Sequence, residues 1–277
     1  MNSKNLQDLK KTGERMIPKN FESEAEYLIF LQHLFAYEFV EGKISENSFV
    51  LEVGCGEGYG TSLLSKKAKR IIGLDVDKDT IGHASRKYGS EKCIFKAYAG
   101  KRLPFDNNTF DFVISFQAIE HVQDDLNFVS EIHRVLNKKG IFFVTTPNSV
   151  HRLKPGQKPW NRFHVREYSP SEFENLLKNR FSNVDLRGIR GKGQVQKISL
   201  ERVKQNQKIV SLDPLNLRQL IPESIKPAII KLLRKITNKK SKKQSKMEFI
   251  GKYSTDDYYI IEIDIDNSLD LLGSCKK

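Results

Sequence analysis

A glycine-rich segment constrains the fold of this chain more than any other feature of the sequence. The apolar run FVLEV predicts a short buried strand, GCGEGYG follows it directly, and a helical pattern begins at Tyr59. Such a turn between a strand and a helix points backbone N–H groups and the helix N-terminus toward a ligand. The sequence therefore predicts a ligand-binding turn at one edge of an α/β sheet.

The spacing of these glycines restricts the class of ligand. They alternate with other residues, and Tyr59 occupies the position where a dinucleotide-binding fingerprint needs its third glycine. No Gly-Lys-Ser/Thr follows, which excludes a phosphate-binding P-loop. Glu52 comes two residues before the first glycine and favours a cofactor with a positive group over an anionic one.

Strands and helices alternate along the rest of the chain. Further strands are predicted at RIIGLDV, CIFK, FDFVISF, GIFFVTT, FSNVDLRGI and YYIIEIDI, with amphipathic helices between most of them. With FVLEV they make seven strands. The alternation predicts an α/β fold with a doubly wound, Rossmann-like, mostly parallel sheet, in which the late strand at 258–265 is antiparallel.

A helical spacing of apolar residues over 24–40 predicts an N-terminal cap helix, with Ser23 placed to cap it. Pro170 suits the first turn of another helix, which Ser169 or Ser171 would cap. A third amphipathic pattern, over 225–236, lies between the last two predicted strands.

Positive charge is concentrated in one segment. The formal net charge is +13, and residues 187–252 carry 18 Lys or Arg against four acidic residues, a net +14. The rest of the chain is therefore close to neutral. A neutral body with a basic insert is typical of an enzyme that docks on phosphate, nucleic acid or an anionic membrane, although a solvated loop explains the lysine run equally well.

The predicted elements and the position of the basic segment divide the chain into four parts. We predict an N-terminal segment with the cap helix at 1–46, a ligand-binding core at 47–187, a basic insert at 188–255, and the last strand with a tail at 256–277.

Several classes of protein are disfavoured by the composition. The longest apolar runs fall far short of the roughly 18 residues that span a bilayer, and the start MNSKNLQDLKK lacks the apolar region of a secretory signal. Three scattered cysteines show no metal-ligand spacing, so no metal site is predicted. We expect a reduced, cytoplasmic protein, with the basic insert offering contact to the inner face of the membrane.

Four ordered motifs resemble the class I S-adenosylmethionine (SAM)-dependent methyltransferases of the type 11-like group. VLEVGCGEGYG, IIGLDV, LPFDNNTFDFVIS and EIHRVLNKKGIFFVTTPN resemble the first, second, fourth and fifth family motifs in that order, over about 48–150. The flanks TGERMIP and NRFHVREYSPSEF are similar to a branch associated with the methylation of sugars and cell-surface polysaccharides.

The resemblance implies SAM as the cofactor and assigns roles to particular residues. The glycines would let the backbone approach the methionine part of SAM, Glu52 would lie near its cationic end, and Asp75 would accept the ribose hydroxyls. Ala99 stands where many relatives have an acidic residue for the adenine amine, so backbone groups would serve there. The implied cofactor-binding residues are Glu52, Gly54, Cys55, Gly56, Gly58, Asp75, Val76, Ala99, Gly100, Ser115 and Phe116.

Two histidines are candidates for catalysis. His121 follows the fourth strand and His164 follows the fifth, so both are expected at the carboxyl edge of the sheet, where doubly wound folds bind ligands. A sugar hydroxyl needs a proton acceptor, and imidazole suits that role near neutral pH. A structural role for each histidine remains the alternative.

Three further side chains have two interpretations each. Arg15 and Arg166 either contact substrate and cofactor or lie on surface loops. Tyr59 either presents its ring to the sulfonium or packs in the core.

Three functions remain open on the sequence. The first is methylation of a small-molecule or glycan acceptor, possibly lipid-linked, most naturally at oxygen, with membrane contact through 225–246. The second is an RNA methyltransferase or nucleic-acid binder that uses the basic insert, which the lack of a recognised RNA-binding module disfavours. The third is SAM binding without turnover. The oligomeric state and the acceptor atom are not predicted.

Overall fold

The computed structural model describes residues 21, 23–154, 156–161, 163–211 and 248–277. Its centre is an eight-stranded sheet. The strands are β1 (Phe49–Val53), β2 (Arg70–Asp75), β3 (Cys93–Ala97), β4 (Phe110–Phe116), β5 (Leu136–Pro147), β6 (Asn183–Gly191), β7 (Tyr258–Ile261) and β8 (Asp270–Lys276).

The strand order is β3-β2-β1-β4-β5-β8-β6-β7. Neighbours from β3 through β5 pair in parallel, β8 runs antiparallel between β5 and β6, and β7 pairs antiparallel with β6 at the edge. The order reverses between β1 and β4, so the carboxyl ends of these two strands flank a crevice where doubly wound folds bind ligands. The predicted Rossmann-like α/β fold is confirmed.

The predicted number and placement of the late strands are wrong. The apolar run at 258–265 supplies only the short edge strand β7, and the strand beside β5 is Asp270–Lys276. Its sequence DLLGSCK has no β-branched residue and has a glycine at its centre, which weakens a strand pattern. Gly273 is needed there because a Cβ would lie 2.9 Å from Cδ1 of Leu177 and 3.0 Å from Cγ1 of Val144.

Helices cover both faces of the sheet. They are α1 (Glu24–Glu41), α2 (Tyr59–Leu64), α3 (Lys78–Tyr88), α4 (Asp125–Val135), α5 (Pro170–Lys178) and α6 (Gly193–Ser211). One hydrophobic cluster contains side chains of α1, α2, α3 and α6, and a second contains those of α4 and α5. Alternate strand residues join the two clusters, as the pleat of a sheet requires.

Two helices begin at serine residues that the sequence places as N-caps. The Ser23 hydroxyl accepts from the Glu26 N–H at 3.2 Å, and Ser169, rather than Ser171, caps α5 in a capping box with Glu172. In the first helix, Tyr258 of β7 donates its hydroxyl to the Leu28 carbonyl at 2.6 Å. Helix α1 is therefore attached to the sheet by hydrogen bonds as well as by apolar packing.

The chain that follows β6 begins with a helix. Strand β6 continues to Gly191 rather than ending at 189, and α6 follows it directly and packs against α1. Helix α6 was not predicted from the polar sequence GQVQKISLERVKQNQ, because only a few of its apolar residues, such as Val195 and Val203, are buried. The predicted helix at 225–236, the lysine run and the TGERMIP segment lie outside the described residues.

Among the helices that the structure describes, none is long and apolar enough to cross a bilayer.

Two glycines in helices give opposite predictions for stability. A Cβ at Gly60 in α2 would stand 2.1 Å from Cζ of the buried Tyr37 ring, whereas at Gly82 in α3 the nearest atom is Nη1 of the flexible Arg86 at 3.4 Å. We expect Gly60→Ala to lower the free energy of unfolding by about 1–3 kcal/mol through overpacking. Gly82→Ala should raise it by up to about 1 kcal/mol through helix propensity. Urea unfolding measures both, and a shift of the two variants in the same direction would contradict this packing.

Candidate cofactor and acceptor site

The turn after β1 is held against the end of β2 by its own backbone. The N–H groups of Gly54 and Cys55 both donate to the Leu74 carbonyl, at 2.8 and 2.9 Å, and the Gly58 N–H donates to the Cys55 carbonyl at 3.0 Å. Gly54, Gly56 and Gly58 have φ values of 82°, 50° and 79°, in the left-handed region that favours glycine. This glycine turn (54–58) therefore needs glycine at its alternate positions.

The three glycines differ in what surrounds them. A Cβ at Gly54 would lie 2.6 Å from Cβ of Ala118, and one at Gly58 would lie 2.7 Å from the Phe95 ring. A Cβ at Gly56 would meet no described atom within 4 Å. Gly56 thus borders open space, and a ligand can approach its backbone closely.

Asp75, at the end of β2, lies beside this open space. Its Oδ2 accepts from the Gly56 N–H at 3.0 Å, and its Oδ1 accepts from the Asp77 N–H at 3.0 Å. A carboxylate has about four acceptor positions, so each oxygen retains one for a hydroxyl. The geometry fits the ribose-binding role that the family resemblance implies.

An exposed apolar surface continues from Asp75. The Val76 side chain is 61% exposed, and a Cβ at Gly100 would lie 3.2 Å from its Cγ1. Ala99 and Gly100 are also exposed. These three residues form a small platform of the kind that an adenine ring covers, so the described residues fit the shape and polarity of SAM.

Glu52, which the resemblance places near the cationic end of SAM, lies in β1 directly before the glycine turn. It is fully buried, its Oε1 accepts from the Tyr37 hydroxyl at 2.5 Å, and its Oε2 accepts from the Thr61 hydroxyl. Burial raises the pKa of this carboxyl to about 7, against the lowering effect of the two hydrogen bonds. Through these hydrogen bonds Glu52 connects β1 to α1 and α2, the helix that follows the glycine turn.

Ser115, Phe116 and Cys55 are buried rather than exposed to the cleft. The Ser115 hydroxyl donates to the Val53 carbonyl at 2.9 Å and joins β4 to β1. The Phe116 ring packs edge-on against Tyr37 at 4.9 Å, and burial raises the pKa of the Cys55 thiol. Ser115 and Cys55 therefore pack inside the protein, at positions where the family resemblance implies residues that line the cofactor.

The segment after β4 returns to the glycine turn. Ala118 is the residue that approaches Gly54, and a single 3-10 turn, Ile119–His121, follows it. The ring of His121 meets that of His164 edge-on, with centroids 4.8 Å apart. The structure thus brings together the two histidines that the sequence places after different strands, and His121 lies three residues after Ala118, which approaches the glycine turn.

Hydrogen bonds fix the orientation of both imidazoles. His121 Nδ1 lies 3.1 Å from the Phe163 carbonyl, and His164 Nδ1 lies 2.7 Å from Oε1 of Glu167. Arg152 binds the same Glu167 carboxylate through two N–H groups, at 2.7 and 2.9 Å. Burial lowers the pKa of His121, whereas the hydrogen bonds from His164 and Arg152 hold the pKa of Glu167 below its usual value despite burial.

Glu120 completes this group. It is buried, and its Oε2 accepts from the Thr146 hydroxyl at 3.2 Å. Burial raises its pKa to about 8. Glu120, Glu167 and Arg152 were not predicted from the sequence, since nothing in their spacing connects them. The available signal was that Glu120 directly precedes His121 and that Glu167 lies three residues after His164.

The remaining candidates have structural roles or lie outside the described residues. Arg166 donates to Asp125 at 2.5 Å and to the Gln123 carbonyl at 2.6 Å, so its guanidinium is committed to the start of α4. Tyr59 packs against Phe30 and Tyr37, which favours the core interpretation. Residues 14 and 15 are not among the described residues.

One part of the chain matches the model of a known protein family. Residues 51–144, which contain the glycine turn, Asp75 and His121, match the family model described as a methyltransferase domain. This region is therefore similar to methyltransferase domains. SAM is the cofactor that this similarity implies, in agreement with the geometry at Gly56 and Asp75.

Two curated relatives share this region. A probable S-adenosylmethionine-dependent methyltransferase from Mycolicibacterium smegmatis is 40% identical over 167 residues, which are 60% of this chain and 62% of the relative. A ubiquinone biosynthesis O-methyltransferase from Pelagibacter ubique is 26% identical over 53% of this chain and 65% of the relative. This chain therefore spans less than two thirds of the length of either protein.

A solved structure supports the fold over a longer stretch. A SAM-dependent methyltransferase from Thermotoga maritima, described as a possible histamine N-methyltransferase, has a TM-score of 0.56 against this chain. It is 16% identical, and the match covers 91% of this chain and 92% of that one. At this identity the similarity establishes the fold alone.

We predict that SAM binding depends on Asp75 and on the space beside Gly56. Asp75→Ala removes the ribose acceptor, and Gly56→Val fills the approach to the backbone, so each variant should bind SAM at least about tenfold more weakly. Asp79→Ala, an exposed change in the first turn of α3, is the matched control and should bind as the wild type does. Isothermal titration calorimetry gives the affinities, and wild-type affinity in Asp75→Ala would contradict the assignment.

We also predict a pH-dependent effect of Glu52→Gln on stability. The folded-state pKa of about 7 lies above the usual value, so the wild type loses stability as pH rises from about 5 through 7, while the glutamine variant does not. The stability of Glu52→Gln relative to wild type should rise between about pH 5 and pH 8 by on the order of 1–3 kcal/mol. Urea unfolding at both pH values tests this, and a pH-independent difference would show that Glu52 titrates normally.

Proposed function

We propose that this protein transfers the methyl group of SAM to an oxygen atom of a small-molecule or glycan acceptor. The observation that carries the proposal is the pair formed by His121 and His164 beside the glycine turn, joined to it through the contact between Ala118 and Gly54. The pair lies at the carboxyl edge of the sheet, on the β4 and β5 side of the cofactor turn.

The chemistry needs alignment and removal of one proton. Methyl transfer from a sulfonium is an in-line displacement that neutralises charge, so the protein mainly positions the two reactants and excludes water. An acceptor hydroxyl is a poor nucleophile until its proton is removed. We assign this activation to His121 and His164, because hydrogen bonds to Phe163 and Glu167 fix the orientation of both rings.

The class of acceptor is supported by sequence similarity. The ubiquinone-biosynthesis relative named above is an O-methyltransferase, which favours oxygen as the acceptor atom. The segment NRFHVREYSPSEF, similar to a branch associated with sugar and polysaccharide methylation, contains His164 and Glu167 and therefore belongs to the candidate acceptor side. A glycan acceptor is consistent with both features.

The basic segment suggests how a lipid-linked acceptor would be reached. The net charge of +14 over 187–252 would attract an anionic membrane surface at the inner face, and the apolar residues within 225–236 would lie against the lipid. An RNA methyltransferase is the alternative that the same charge favours. Vesicle binding that disappears on deletion of 225–246 supports the first function, and salt-sensitive RNA binding with RNA methylation supports the second.

Turnover tests the proposed function directly. Purified protein with methyl-labelled SAM and a panel of sugar nucleotides and lipid-linked glycans should transfer label to an oxygen atom. We expect His121→Ala and His164→Ala each to lower the rate at least about 100-fold, with SAM affinity unchanged. His133→Ala is the control. His133 lies on α4 and packs against Phe181, so this variant should leave the rate unchanged. Wild-type turnover in both site variants would overturn the role of the pair.

A further inference from the structure

Glu120, His121 and His164 present one possible metal-ligand atom each, and these three atoms all lie within 4.8 Å of one another. Two ligands come from the 3-10 turn after β4, and the third comes from the loop after β5. The side chains thus converge from separate elements rather than from one local sequence pattern. A single cation can be reached by all three with small side-chain movements.

The surroundings of the two imidazoles resemble those of metal ligands. Ligating histidines usually donate their other ring N–H to a carbonyl or a carboxylate, which fixes the tautomer and the ring direction. His121 meets the Phe163 carbonyl through Nδ1, and His164 meets the Glu167 carboxylate through Nδ1. Because Nδ1 of each ring makes one of these contacts, we assign Nε2 of each ring to the cation. Arg152 in turn holds Glu167 with two hydrogen bonds, so the outer partner is itself fixed.

The chemistry of the ligands indicates the class of metal. Two imidazole nitrogens and one carboxylate oxygen suit divalent transition metals such as Zn²⁺, Mn²⁺, Fe²⁺ or Co²⁺. Three protein ligands leave at least one coordination position open, as in catalytic rather than structural metal sites. The buried Glu120 carboxylate accepts a hydrogen bond from Thr146 at Oε2 and, as a group with about four acceptor positions, can also accept a cation.

We propose that Glu120, His121 and His164 form a binding site for one divalent transition-metal ion on the acceptor side of the cleft. The proposal that a cation binds here depends only on this geometry and not on the proposed function. Catalytic use of the cation rests on the proposed O-methyl transfer: the acceptor oxygen occupies an open coordination position, and the bound cation lowers the pKa of that hydroxyl.

The reaction balances without a further co-reactant. The acceptor O–H bond breaks and its proton passes to water. A lone pair of the oxygen then forms a bond to the methyl carbon of SAM while the bond from that carbon to sulfur breaks. The products are the methyl ether and neutral S-adenosylhomocysteine. In this arrangement the two histidines activate the acceptor together by holding the cation, rather than by taking the proton themselves.

Cobalt titration tests the site independently of turnover. Full-length protein without a histidine tag, stripped with a chelator, is titrated with Co²⁺ and followed by visible absorption. We expect one equivalent per chain, with nitrogen and oxygen ligation and no intense sulfur-to-metal band, since Cys55, Cys93 and Cys275 are buried and none of them belongs to the cluster. No binding by the wild type, or a spectrum dominated by sulfur ligation, would overturn the proposal.

Variants assign the binding to the cluster. Glu120→Gln, His121→Asn and His164→Asn should each weaken Co²⁺ binding at least about tenfold, and His133→Asn, on α4 outside the cluster, should bind as the wild type does. Circular dichroism and calorimetric SAM affinity establish that each variant is folded. Co²⁺ binding that all three changes leave intact would contradict the site. Intact Co²⁺ and SAM binding without O-methyl transfer would instead contradict the proposed function and leave the metal site standing.

Discussion

The candidate site depends on a carboxylate that has no contact with solvent. Glu52 lies in the central strand β1, two residues before the first glycine, and receives hydrogen bonds from Tyr37 of α1 and Thr61 of α2. A buried carboxylate is costly unless it is hydrogen-bonded, so these partners must hold their positions. The interaction fixes the cap helix and the helix after the glycine turn to the same strand, and the turn between them keeps one shape.

The topology then brings the functional groups to that turn. Parallel strands place their carboxyl ends at one edge, so Asp75 after β2 and His121 after β4 lie on either side of the glycines. Ala118 fits against Gly54 only because no Cβ is present there. The segment that leads from β4 to His121 therefore packs directly against the glycine turn.

Local patterns predicted from the sequence correspond to local structure. The strand, glycine turn and helix around Gly56 are contiguous in the chain, as are β2 and Asp75, so periodicity and motif spacing were sufficient. Strand β8 was missed because the glycine that packing requires at 273 removes its β pattern. The partners of Glu52, His121 and His164 could not be predicted, because they are set by side-chain direction and by contacts between segments distant in the sequence.

The most direct test of this account is a crystal structure of the protein with S-adenosylhomocysteine. We expect the ribose hydroxyls on the Asp75 carboxylate, the amino-acid part over Gly54 and Gly56, and adenine against Val76. The sulfur should face the side of the cleft that holds His121 and His164. A ligand bound elsewhere, or with its ribose away from Asp75, would contradict the assignment of the cofactor turn and with it the proposed direction of methyl transfer.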